Sequence, residues 1–203
     1  MRHFTYLTLL FFWTTIFFGQ IVQRQNNESV PQFAERLKPD NSTLTHKVLE
    51  TKWNSIPVII CLYDQTYTEP PEKDAYHRII GSVLIQLNNN KYSLTTFGTI
   101  DTEGGDPKIE SVFFANADKN KTKELIIVAS CEQRHYDFSG TLYGTYVFDY
   151  ELTSKKLERK FLEAISKKLD GGCECDWRDE KSKKAKFKTA VSVKKELTRL
   201  GYK

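Results

Sequence analysis

Six apolar segments of strand length between residues 57 and 151 constrain the fold of this chain more than any other feature. They are rich in β-branched and aromatic residues, and polar runs containing Asn, Asp, Gly or Pro separate them. The segments are Pro57–Tyr63, His77–Leu87, Tyr92–Ile100, Lys108–Ala115, Glu124–Cys131 and Thr141–Glu151. Such runs predict buried strands, and the short turn at Asn88–Lys91 predicts an antiparallel hairpin.

Helices are expected on both flanks of these strands. Residues 30–53 predict two short N-terminal helices, one starting at Pro31 and a second running from Ser42 or Thr43 to about Lys52. Residues 152–169 fit either a strand followed by a helix, which we favour, or one continuous helix. Ala185–Leu200 has the pattern of an amphipathic helix that packs on the sheet. The predicted fold class is therefore α+β, mainly an antiparallel sheet of about six strands over residues 57–151, with N-terminal helices and an amphipathic C-terminal helix.

The N-terminus has the pattern of an export signal. Arg2 and His3 precede Phe4–Phe18, which is uncharged and falls short of the roughly 20 residues that span a bilayer. The pattern predicts a signal peptide over residues 1–19, a flexible lead-in over 20–29 and a single β-rich domain over 30–203. The predicted location is secreted or periplasmic. An uncleaved signal anchor is the alternative, and it would be the chain's contact with a membrane.

The charge distribution is uneven. The formal net charge is +4, yet residues 154–203 contain 16 Lys and Arg against 8 Asp and Glu. These charges alternate with apolar residues at helical spacing, which indicates a solvated helix face. Together with export, this pattern argues against a nucleic-acid partner.

Four cysteines are disulfide candidates in an exported protein: Cys61, Cys131, Cys173 and Cys175. Cys61 and Cys131 fall in or at the end of strand-like runs, so a bridge between neighbouring strands is one expectation. Cys173 and Cys175 share a Gly-Gly-Cys-Glu-Cys turn and could bridge each other. Four cysteines allow three pairings, and free thiols are a further alternative.

One loop has the spacing of a calcium site. Oxygen-bearing side chains recur at every second residue, at Asn116, Asp118, Asn120, Thr122 and Glu124, and calcium takes six to eight hard oxygen ligands. Residues 112–128 resemble the FG-GAP or VCBS repeat, in which a D-x-N-x-D-G-x-x-[DE]-L loop joins two strands of a β-propeller blade. The resemblance implies calcium binding by the loop and a surface used for adhesion or recognition.

The loop departs from that pattern in two ways. Lys121 occupies the position of the glycine, and three lysines outnumber the two carboxylates, so the loop should repel a cation. The interpretation we favour is a polar hairpin whose Asn and Asp side chains accept hydrogen bonds from their own backbone. With one copy of the loop and about 180 mature residues, the chain is too short for a propeller ring.

No established catalytic motif is present: the zinc, nucleophile-elbow, P-loop and dinucleotide patterns are all missing from the sequence. Asp101, Glu103 and Asp106 flank a Gly-Gly pair and indicate a solvated turn. The first functional hypothesis is a non-catalytic binding or interaction domain with an unknown protein or glycan partner, supported by aromatic residues at strand ends: Tyr136, Tyr143, Tyr146 and Tyr150. The alternative is an exported enzyme using Cys131 with His135, or a metal at Cys173 and Cys175. No cofactor is predicted beyond possible calcium.

Overall fold

Two antiparallel sheets form the framework of the chain. The computed structural model describes residues 20–71, 74–153 and 156–202. Within them, the first sheet comprises β1 (Gln20–Gln23), β2 (Ser42–Leu44), β3 (Leu49–Trp53), β4 (Ile56–Tyr67), β5 (Tyr76–Gln86) and β6 (Lys91–Ile100). Its strand order is β1-β6-β5-β4, and β2 and β3 both pair with the far edge of β4.

The second sheet repeats this arrangement. It comprises β7 (Pro107–Ala115), β8 (Glu124–Arg134), β9 (Phe138–Thr153), β10 (Lys156–Phe161) and β11 (Gly172–Trp177). Its order is β7-β8-β9, and β10 and β11 both pair with the remaining edge of β9. Each sheet thus contains one long strand, β4 or β9, and two short strands pair with successive parts of the same edge of that strand.

Both sheets are buried on both faces. Their inner faces meet in one core, to which β4 contributes Ile60 and β8 contributes Leu125 and Ile127. Helix α1 (Val30–Arg36) covers the outer face of the first sheet. Helices α2 (Glu163–Lys168) and α3 (Ala190–Arg199) cover that of the second. A strand buried on both sides needs apolar residues at successive positions, which explains the continuous apolar runs of β4 and β8.

The predicted fold class is confirmed. All six strands expected between residues 57 and 151 are present as β4 to β9, within a mostly antiparallel structure that has helices on its flanks. The strand expected to end at Cys131 continues to Arg134, and the strand expected to begin at Thr141 begins at Phe138. Only residues 135–137 therefore connect β8 to β9. The strand-then-helix interpretation of residues 152–169 corresponds to β10 and α2.

The N-terminal flank differs from the prediction. Residues 20–23 are not a flexible lead-in but strand β1, in which buried Val22 packs beneath α1. The first predicted helix is present as α1, whereas the second is replaced by β2 and β3. These two segments are short and alternate in burial, and pairing with the edge of β4 satisfies their backbone groups.

The C-terminal helix is shorter than predicted. Helix α3 begins at Ala190 rather than Ala185, where Thr189 forms a capping box with Ser192. Val193 and Leu197 bury its apolar face against the second sheet, as the amphipathic pattern indicated. The Cys-Glu-Cys segment predicted as a turn is part of β11.

Two glycines make room for the aromatic centre of the core. Gly81 of β5 pairs with Gly98 of β6. A Cβ atom on Gly81 would lie 2.3 Å from Cζ of Phe97, and one on Gly98 would lie 2.6 Å from Cε1 of Phe148. The two phenylalanine rings pack edge to face, with centroids 5.0 Å apart. The close approach of these rings to the β5–β6 backbone is possible only because both positions lack a side chain.

The predicted signal peptide, residues 1–19, lies outside the described residues. Among the helices that the structure does describe, none combines the length and apolar character needed to cross a membrane.

Candidate functional site

Three carboxylates meet at one end of the second sheet. One oxygen each from Asp118, Glu124 and Asp149 lies within 4.8 Å of the other two. Glu124 is the first residue of β8, and the pairing of Leu125 with Phe148 places Asp149 of β9 beside it. The loop between β7 and β8 supplies Asp118. Two of the positions are therefore fixed by strand register, and the third comes from a loop.

Glu124 is the buried member of this carboxylate cluster. It is 0% exposed, on the same face of β8 as Ile126, which α2 and α3 cover. Its Oε2 accepts a short hydrogen bond from the backbone N–H of Ala117. Its Oε1 is buried and has no hydrogen-bond partner among the described residues. Burial, and secondarily the charges of Asp118 and Asp149, raises the pKa of Glu124 to about 7.

The loop itself does not wrap its predicted oxygens around a common centre. Oδ1 of Asn116, Asp118 and Asn120 each accepts the backbone N–H two residues further on, at 3.2, 2.7 and 2.7 Å. This is the self-bonded polar hairpin that the sequence favoured. Of the five predicted metal ligands, only Asp118 and Glu124 come together in the cluster, while Asn116, Asn120 and Thr122 serve the loop.

Trp53, the last residue of β3, and Asn54, in the turn that follows it, anchor the same loop. The Trp53 indole N–H donates to the backbone carbonyl of Lys123 at 2.6 Å, and the Asn54 carboxamide accepts from the Lys123 N–H at 2.8 Å. The end of the loop at Lys123, next to Glu124, is therefore held to the first sheet across the sandwich.

Sequence reasoning missed Asp149. A carboxylate between Phe148 and Tyr150 in an otherwise apolar strand was a visible signal. Its connection to the loop depends on the register between β8 and β9, which a sequence does not specify when both strands are long and apolar.

Cys61 and Cys131 are not on neighbouring strands, so the expectation of a bridge between them is wrong. Cys61 lies on β4 in the first sheet and Cys131 on β8 in the second, and both are free and buried. Burial raises the pKa of the Cys61 thiol to about 11, and burial also raises the pKa of Cys131. Both cysteines are thiols at neutral pH.

The structure does not bring Cys131 and His135 together. Four residues of extended chain separate them by roughly 13 Å. The exposed His135 ring instead has Nε2 3.2 Å from Oε1 of Gln133. A nucleophile and its base need to lie within hydrogen-bond reach, so this geometry does not support a thiolate mechanism.

Cys173 and Cys175 are bonded to each other in β11, with Cα atoms 5.3 Å apart. Their sulfurs are joined and offer no thiolate to a metal in this state. The carboxylate cluster is the group of potential metal ligands that the described part of the chain assembles, and it includes neither cysteine.

Aromatic and cationic side chains gather at the opposite end of β9. We call this group the aromatic tip. It lies where the β8–β9 connection meets the end of β11. Its members are His135, Tyr136, Phe138, Trp177, Arg178 and Lys183.

A continuous ring stack forms one half of the aromatic tip. The rings of His135 and Phe138 are stacked with centroids 4.4 Å apart, and those of Phe138 and Trp177 are 4.3 Å apart. The Lys183 ammonium lies 4.5 Å from the Trp177 ring, beyond the end of the stack. Each ring of this stack therefore has at least one face covered by another ring.

Tyr136 forms the other half and is the most exposed large apolar side chain of the described residues, at 85%. The Arg178 guanidinium lies 4.4 Å from its ring centroid. A backbone bond from His135 N–H to Phe138 O at 2.8 Å closes the β8–β9 connection, and one from Arg178 N–H to Asp137 O at 2.9 Å joins that connection to the end of β11. The aromatic tip is thus a braced structure rather than a loose loop.

The other tyrosines at strand ends have different places. Tyr150 is buried in the core against Trp53, with ring centroids 4.8 Å apart. Tyr146 is half-buried and packs against the same core, and Tyr143 is half-buried beside Lys188. Of the four predicted recognition tyrosines, Tyr136 is the one that faces solvent.

Comparison with protein-family models gives no match, and comparisons with curated proteins and with solved structures give none either.

Proposed function

We propose that this chain is an exported, non-catalytic binding domain that recognises a protein partner through the aromatic tip. The observation that carries the proposal is the exposed ring of Tyr136. It lies on the braced β8–β9 connection, with the Arg178 guanidinium beside it. Tyr, Trp and Arg are the residues most enriched at energetic hot spots of interfaces, and a rigid anchor loses little entropy on binding.

The charge around the aromatic tip indicates the kind of partner. The segment Arg178–Lys188 contains six Lys and Arg against two Asp and Glu. Such a surface favours an acidic partner and speeds its association. The rings of His135, Phe138 and Trp177 are stacked on one another, which leaves less open ring face on which a sugar could stack. These two features favour an acidic protein surface over a glycan.

Export is part of this proposal. The apolar segment Phe4–Phe18 supports it, and mass spectrometry of the native protein tests it. We expect a mature chain that begins at Gln20 in the secreted or periplasmic fraction. A chain that retains residues 1–19 in a membrane fraction would instead indicate the signal anchor.

Site-specific photo-crosslinking tests the recognition surface. A photoreactive phenylalanine analogue replaces Tyr136 in one variant and Val191 in the other. Val191 is a matched control, because it is 77% exposed but lies on α3, away from the aromatic tip. We expect a discrete protein adduct in the exported fraction from position 136 and none from position 191.

Measuring the affinity for the cross-linked partner completes this test. Arg178→Ala is expected to weaken binding of the cross-linked partner at least tenfold, in line with the loss of a hot-spot residue. Identical adducts from both positions, or an unchanged affinity in Arg178→Ala, would contradict the proposal. Binding of mature protein to an acidic glycan on an array, with no protein adduct, would identify a glycan partner instead.

A further inference from the structure

We propose that Asp118, Glu124 and Asp149 form a binding site for a divalent cation and that calcium is the cation they fit. The site shares Asp118 and Glu124 with the calcium loop that the FG-GAP or VCBS resemblance implies, but it is completed by Asp149 of β9 rather than by the other oxygens of the loop. It is also independent of the aromatic tip.

The cluster is more than a group of surface acids because its central member is buried. A carboxylate taken out of water needs a compensating partner for each oxygen. Oε2 of Glu124 has the Ala117 N–H, but Oε1 has no partner in the described part of the chain. Asp118 and Asp149 add negative charge beside it. A cation among the three groups satisfies the unpartnered oxygen and removes their mutual repulsion.

The distances fit calcium. Calcium–oxygen distances of about 2.3–2.6 Å place opposite ligands up to about 4.6–5.2 Å apart, so oxygens within that span of one another can share one calcium ion. Magnesium demands near-ideal octahedral geometry and dehydrates reluctantly, which favours calcium at a site built from three protein carboxylates. The three oxygens lie within 4.8 Å of one another. Three carboxylates leave coordination positions for water or backbone carbonyls, and the half-exposed Asp118 and Asp149 give the ion a route from solvent.

Hydrogen bonds within the loop orient the carboxylate of Asp118, the cation ligand that the loop supplies. Oδ1 of Asp118 accepts from the Asn120 backbone N–H and Oδ2 from the Asn120 side-chain amide, both at 2.7 Å. Each carboxylate oxygen retains a lone pair for a cation. Outer contacts of this type hold metal-binding carboxylates in position. The neighbouring Lys119, Lys121 and Lys123 are exposed, so water screens their charge.

Calorimetry and thermal unfolding of the mature chain, residues 20–203, test the site. The protein is first treated with a chelator and then titrated with calcium chloride or magnesium chloride. We expect saturable binding of one calcium ion, weaker binding of magnesium, and a melting temperature that rises by about 5–10 °C at a hundredfold excess over the dissociation constant.

Three variants locate the ion. Asp149→Asn is expected to lower calcium affinity at least tenfold. Glu124→Gln, which keeps the side-chain shape, is expected to abolish the calcium response and to melt higher than the wild type in chelator. Asp106→Asn removes an exposed carboxylate from another acidic loop and is expected to leave the response unchanged.

Two results would overturn the site. One is the absence of a calcium-dependent heat and melting shift in the wild type at about 10 mM, well above the weak limit of roughly 1 mM for extracellular calcium modules. The other is a response that persists in both Glu124→Gln and Asp149→Asn, or that is equally lost in Asp106→Asn. Asp149→Asn keeps the test decisive if Glu124→Gln does not fold.

Discussion

Adding a single methyl group at Gly81 tests the packing between the two sheets. In Gly81→Ala, the new Cβ would lie 2.3 Å from Cζ and 2.4 Å from Cε2 of Phe97. Carbon atoms in contact are normally about 3.5–4.0 Å apart, so the ring would have to withdraw by more than about 1 Å. Phe97 is 4% exposed and its ring packs edge to face against Phe148, so its withdrawal would disturb that contact.

The magnitude follows from two opposing effects. Overpacking of a core typically costs about 1–3 kcal/mol. Replacement of glycine by alanine stabilises by up to about 1 kcal/mol through the unfolded chain. The net loss for Gly81→Ala is therefore about 1–2 kcal/mol, which lowers the melting temperature of a domain of this size by about 3–6 °C.

A double-mutant cycle with Phe97→Leu separates the clash from other effects. Leucine lacks the outer ring atoms that the new methyl group meets, so the double variant should be more stable than the sum of the single effects by about 1 kcal/mol. The measurement is urea or thermal unfolding of the mature chain, followed by circular dichroism. Additive effects, or a Gly81→Ala variant as stable as the wild type, would refute the packing described for this pair.

Three further substitutions test other contacts. The hydrogen bond to Asp64 at 2.9 Å raises the pKa of His77, so protonated His77 stabilises the fold. By urea unfolding, the wild type should be more stable than His77→Gln. This difference should be largest below about pH 6.5 and should vanish as the pH rises through the raised pKa of His77. Trp53→Phe removes the bond to the Lys123 carbonyl and part of the indole, and it should cost about 1–2 kcal/mol in the same assay. Thr189→Ala removes the α3 cap and should cost about 1 kcal/mol. An unchanged stability in Trp53→Phe or Thr189→Ala, or an effect of His77→Gln that does not depend on pH, would contradict the corresponding contact.

The parts of the fold that could be predicted are those that depend on local composition. Strands β4 to β9 are long and apolar, so their sequence alone indicates burial. Strands β1, β2, β3 and β11 are short and mostly polar, and they form because the edge of a long strand is available to them. Residues 42–52 have helical caps and spacing, but edge pairing with β4 outweighs that weak local preference.

The residues of the candidate sites also differ in whether local sequence could identify them. Asp118 and Glu124 could be singled out because they belong to one loop pattern. Asp149 could not, because its place depends on how β8 and β9 align. The tip residues Phe138 and Trp177 are 39 positions apart in the sequence, and only the pairing of β9 with β11 stacks their rings.

Strand β9 runs from Phe138 in the aromatic tip to Asp149 in the carboxylate cluster and beyond. Eleven residues of extended chain span up to about 36 Å, so a partner seated at one end leaves the other end accessible. Ion occupancy and partner capture should therefore be two uncoupled equilibria, each measurable in the presence of the other. The strand acts as a rigid spacer that fixes the distance between the two proposed sites of this protein.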